Sequence, residues 1–192
     1  MKLGTLPPPI RMPEIRVIRG TEVFNEGLAE RIVELDRRNM RAVWEKAGME
    51  YPEENRLRGL RSNPTFVVAF DGAVLAGYVE YLRSWNDPRY IYVGSIQIDE
   101  RYRHTGLLLR LLDEFRALVS REDFKGFETS VQKVNTPAVE LYRRLGFRLE
   151  PNPRNELSWL ARAGRELLTD SPVVPLLERW RERQLRRGAS LT

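Results

Sequence analysis

Apolar residues along this chain fall into short alternating runs and helical stripes that follow one another in a readable order. Residues 14–18 alternate around Ile15, Val17 and Ile18 and predict a first strand. Leu28, Ile32 and Leu35 recur at i, i+4 and i+7, and Met40, Val43, Trp44 and Ala47 extend the stripe. That spacing predicts a long helix, capped by Asn25 and stopped at Gly48. A shorter helix is expected over 52–60, before Ser62-Asn63-Pro64. Three strands follow as a meander, at 65–70, 73–83 and Tyr90–Ile98, joined by Asp71-Gly72 and Asn86-Asp87-Pro88. A helical run begins after Gly106, a strand is expected at 127–131, and Asn135-Thr136-Pro137 opens a helix ending at Gly146. Strands at 147–149 and 156–161 close the pattern. The order implies an α+β fold with a mixed, mostly antiparallel sheet flanked by helices.

The ends differ from this middle. Pro7-Pro8-Pro9 and Pro13 suit an extended arm over residues 1–14, leaving a domain over 15–162. Residues 163–192 form a C-terminal helical extension, in which Leu176, Leu177, Trp180, Gln184 and Leu185 line one stripe of an arginine-rich helix expected over 172–187. That stripe calls for cover, either by the domain or by a second copy of the chain in a homodimer.

Composition narrows the chemistry. No apolar run reaches membrane-spanning length and no signal-peptide core is seen, so a cytoplasmic protein with no membrane partner is expected. The chain has no cysteine and a single histidine, His104, which removes cysteine nucleophiles and thiolate or His-rich metal sites. A net charge of +5 suits a polyanionic ligand, whether a small phosphorylated molecule or nucleic acid. Of the 32 basic residues 28 are arginines, a bias to which we attach no function.

The chemistry concentrates after the Tyr90 strand. Arg103-His104-Thr105-Gly106-Leu107-Leu108 sits between that strand and an apolar helix, where the unpaired N–H groups of a helix start can receive an anion. This loop resembles the R-x-x-G-x-[G/A] pyrophosphate loop of the GNAT superfamily of acyl-CoA-dependent N-acyltransferases, with Leu108 where the family usually has a small residue. One strand and one helix later, Asn135, Ala138, Leu141, Tyr142, Leu145, Gly146 and Phe147 resemble the family's N-x-x-A-x-x-L-Y-x-x-x-G-F pattern.

The resemblance implies a GNAT-like fold and transfer of an acetyl or short acyl group from acetyl-CoA to an amine by direct attack on the thioester. It implies that strands 90–98 and 127–131 are parallel neighbours that splay apart. The backbone of Ile96 and Ile98 would hold the pantetheine, while residues 103–108 and Asn135 would bind the rest of the cofactor. Tyr142 matches the tyrosine that protonates the leaving thiolate. For the general base the sequence leaves Glu128, Glu80 or a water open. A CoA-binding sensor without turnover, and a nucleic-acid-binding protein using the basic C-terminal helix, are the alternatives, with nucleic acid the less favoured partner.

Overall fold

The computed structural model describes residues 13–189, so nearly all of the expected N-terminal arm lies outside the described residues. The described residues form seven strands: β1 (Glu14–Arg19), β2 (Thr65–Asp71), β3 (Val74–Arg83), β4 (Tyr90–Ile98), β5 (Gly126–Gln132), β6 (Arg148–Pro151) and β7 (Ser158–Gly164). They make one sheet in the order β1-β2-β3-β4-β5-β7-β6. Each neighbouring pair is antiparallel except β4 and β5, which run parallel. The helices are α1 (Leu28–Lys46), α2 (Glu53–Leu60), α3 (Leu107–Val119), α4 (Thr136–Arg144), α5 (Leu167–Asp170) and α6 (Val174–Ala189).

Strand alternation sorts the apolar residues into two cores. Phe66, Val68 and Tyr78 meet Ile32, Leu35 and Leu60 of α1 and α2 on one face. Val67, Ala69, Val79 and Tyr81 meet Leu107, Leu111 and Phe115 of α3 on the other. Both faces of β2 and β3 are therefore dry, which is why these strands read as nearly unbroken apolar runs. Among the described residues no helix is long and apolar enough to cross a membrane.

Several expected boundaries move. Residues 20–27 form a 3-10 helix, so Gly27, in a left-handed conformation, takes the N-cap position of α1 in place of Asn25. Asp71 pairs with Val74, which makes Gly72-Ala73 the two hairpin residues in place of Asp71-Gly72. β7 runs to Gly164, past the expected domain end at 162. In α6 the buried positions are Val174 and Leu177, while Leu176 is 45% exposed; the side chains of Gln184 and Leu185 lie outside the described residues. The extension thus packs on its own domain, through α3.

Candidate active site

The site is a fork in the sheet. β4 and β5 stay paired only through Tyr90↔Gly126, Ile91↔Phe127 and Tyr92↔Glu128, and part beyond that point. On its other edge β4 shifts register against β3, with Val93 opposite Tyr81 and Ser95 opposite Glu80, leaving Gly94 as the bulged residue. The Asp99 N–H bonds the Ala76 carbonyl on β3. By alternation Ile96 and Ile98 then turn their N–H and C=O groups away from β3, toward the opening fork. The Ile98 carbonyl already accepts from Asn39 Nδ2 at 3.1 Å, and Ile96 is exposed.

Thr129 sits in the crotch of the fork, its Oγ1 donating to the Val93 carbonyl at 2.8 Å. The Tyr142 hydroxyl lies beside the Thr129 side chain. Burial raises the Tyr142 pKa, opposed by the neighbouring Thr129 hydroxyl. The ring is held edge-on by Phe147, with centroids 5.1 Å apart.

Tyr92, which sequence reasoning left without a role, is the hub of the site. Burial first, then the nearby titratable side chains of Glu80, Tyr142 and Glu128, push its phenol up to about 12, opposed by the Ser130 backbone. The three side chains expected to be catalytic therefore surround one phenol. Trp85 packs on it with ring centroids 5.0 Å apart.

The two glutamates differ in what holds them. Glu128 is fully buried, and its Oε1 accepts from Ser84 Oγ at 2.8 Å and Asn86 Nδ2 at 2.6 Å, while Oε2 accepts from Arg162 Nε at 2.9 Å. Glu80 belongs to a second buried cluster. Arg56 Nη1 donates to its Oε1 at 3.0 Å, Arg56 Nε bonds Asp36, and Tyr78 donates to Asp36 while reaching Ser95 Oγ at 3.3 Å. Arg56 Nη2 approaches Glu80 Oε2 at 2.7 Å but off the donor direction, so that oxygen is buried without a hydrogen bond. Burial raises the Glu80 pKa, opposed by Arg56. Its carboxylate lies under Gly94, where a Cβ would come 3.0 Å from the Glu80 Cδ.

At the far end of β4, Asp99 anchors the loop. It accepts from the Arg101 backbone and side chain and from Arg38 Nη2, which hold its carboxyl near 2, Arg101 contributing most. His104 and Gly106 adopt left-handed φ values of 69° and 85°, the second opening α3. The first N–H groups of α3 lack intrahelical acceptors. Arg103, His104, Thr105, Gly106, Leu107 and Leu108 all line one cavity of about 670 Å³ with Ile98. Leu107 is buried in the core, whereas Leu108 is 42% exposed and lines the cavity. Asn135 caps α4, its Oδ1 accepting from the Ala138 N–H at 3.4 Å, and does not line that cavity.

The acetyltransferase (GNAT) family model matches residues 29–147. No curated protein sequence matches the chain. Among solved structures, a GNAT-family acetyltransferase from Staphylococcus aureus Mu50 is similar at 16% identity and TM-score 0.59, with 79% of this chain and 99% of that one covered. An acetyltransferase from Thermus thermophilus is similar at 17% identity and TM-score 0.57, covering 78% and 96%. PaiA N-acetyltransferase of Thermoplasma acidophilum, solved in complex with coenzyme A, gives 16% identity, TM-score 0.54 and coverage of 79% and 99%. These likenesses agree with the forked sheet, and the family match spans more than half of the sequence: the chain belongs to the GNAT acetyltransferase family.

Proposed function

We propose that this protein moves the acetyl group of acetyl-CoA to an amine, with the pantetheine in the β4–β5 fork and the diphosphate at the start of α3. The donor supplies its acyl group as a thioester, which an amine attacks without a cysteine intermediate. The loop fits such a donor: its cavity is lined by arginine, histidine and helix-start N–H groups and, among the described residues, by no carboxylate.

The observation that carries the reading is the Tyr142 hydroxyl at the crotch of the fork, beside Thr129, whose own hydroxyl is bonded to the β4 backbone. There the phenol gives its proton to the departing sulfur, and Thr129 acts as its positioning residue. A phenol raised above its ordinary pKa stays protonated at neutral pH, as an acid waiting for a thiolate must. For the base, the oxygens of Glu128 are filled by three donors, one of them a guanidinium. Glu80 keeps one oxygen free of hydrogen bonds, and its raised pKa makes it the better proton acceptor, directly or through a water. We accordingly assign the base to Glu80 and a positioning role to Glu128, in the setting of the cytoplasm.

Acetyl-CoA consumption over a panel of amines, read as free thiol, tests the activity. Tyr142→Phe keeps the ring and its packing and should lower kcat by about 10²–10⁴-fold with CoA affinity little changed. Turnover within a few-fold of wild type at saturating acceptor would make Tyr142 structural.

A further inference from the structure

The matched family region ends at Phe147, yet the cavity at the α3 start has a wall that comes from α6. Trp180 and Arg183, one helical turn apart, complete its lining opposite residues 103–109. Trp180 presents the N–H edge of its indole to the loop: a Cβ on Gly106 would lie 3.4 Å from Nε1 and 3.8 Å from Cδ1. α6 is fixed in this place. Arg181 reaches Asp113 of α3 with Nε at 2.9 Å and Nη2 at 2.7 Å, and Val174 and Leu177 are buried beneath the helix.

We propose that the C-terminal helix is part of the donor site, with the Trp180 N–H and the Arg183 guanidinium binding phosphate oxygens of CoA alongside the α3 start. The inference rests on the acetyl-CoA reading above. Its support is chemical. Among the described residues neither Trp180 nor Arg183 has a hydrogen-bond or ion-pair partner, although other arginines in this chain find carboxylates. An indole N–H and a guanidinium can only donate, so the wall they form answers an acceptor-rich anion. The opposite wall also donates, through the helix-start N–H groups, and Arg103 and His104 stand on the rim. Among the described residues no aspartate or glutamate lines the cavity to compete. The arginine-rich extension, which sequence alone left between packing helix and nucleic-acid binder, thereby gains a defined ligand.

The test uses the full chain and calorimetric titration of CoA into wild type, Trp180→Phe and Arg183→Gln. Trp180→Phe removes the indole N–H and keeps an aromatic ring, and Arg183→Gln removes the charged guanidinium and leaves a shorter neutral amide. Each should raise Kd about tenfold, the ordinary worth of a hydrogen bond to a charged group. Arg183→Gln should also flatten the salt dependence of Kd, because one fewer cation faces the phosphates. Relative to wild type, each variant should lose less turnover with an acetyl-pantetheine thioester, which carries no phosphate, than with acetyl-CoA. Equal CoA affinity in wild type and both variants overturns the inference and leaves the acetyltransferase reading standing. Tighter binding in the variants overturns it too, by showing that α6 obstructs the site. A wild-type chain that fails to bind CoA overturns the functional reading, and the inference with it.

Discussion

Glu128→Gln decides between a base and a strut at the centre of the site. The carboxylate is completely buried and accepts from Ser84, Asn86 and Arg162. Glutamine keeps the shape, and its carbonyl oxygen still serves Ser84 and Asn86. Its amide nitrogen, however, faces the Arg162 Nε, so a charge-assisted bond becomes two opposed donors. Losing such a bond costs about 1.5–3 kcal/mol. Breaking a fully buried pair costs about 3–5 kcal/mol, but the Arg162 side chain is 31% exposed and keeps Glu150 at 3.3 Å. It can swing toward solvent, which places the net loss at about 2–3 kcal/mol. For a chain of 192 residues that corresponds to a fall in Tm of about 5–10 °C.

Two assays separate the roles. Thermal unfolding followed by calorimetry should show the drop, and kcat measured well below the lowered Tm should stay within a few-fold of wild type. A base would behave in the opposite way. An unchanged Tm, with a kcat loss of about a hundredfold that recovers as pH rises, would return Glu128 to the chemistry and refute the saturation argument.

Glu80→Gln, by contrast, should cut kcat at neutral pH and regain activity as alkaline pH deprotonates the acceptor unaided; a flat pH profile equal to wild type would remove Glu80 as base. Asp99 is held near 2, chiefly by Arg101, below its unfolded value of about 4. Its contribution is therefore present above pH about 4 and lost as pH falls toward 2. Asp99→Asn should destabilise the protein by about 1–2 kcal/mol at neutral pH, given its exposed arginine partners, and leave a shallower acid limb between those limits, as measured by urea unfolding across pH.

How much of this was open to a reader of the sequence follows from the range over which each feature is encoded. Element order is local: the alternation in β2 and β3 and the stripe of α1 are written in consecutive residues, and they are recovered with shifts of one or two positions. The Asn25 cap failed for a local reason as well, since a residue of good capping type says nothing of the 3-10 turn that carries the chain on to Gly27. The fork was reachable only through resemblance, because nothing in 90–98 or 127–131 states where pairing stops. Contacts between distant strands are another matter. Glu128 stands opposite Arg162 because β5 and β7 pair in one register, and a shift of one residue would put Arg162 on the other face. Ser84 and Asn86 reach the same carboxylate from the turn that leads into β4. Tyr92 was in plain view within the opening strand, yet what marks it is the two glutamates and the phenol brought in by β3, β5 and α4. In one dimension Glu128 stood beside Glu80 as a candidate base. It reads as a strut once its donors are known, while the buried oxygen left without a hydrogen bond on Glu80 is visible only in three.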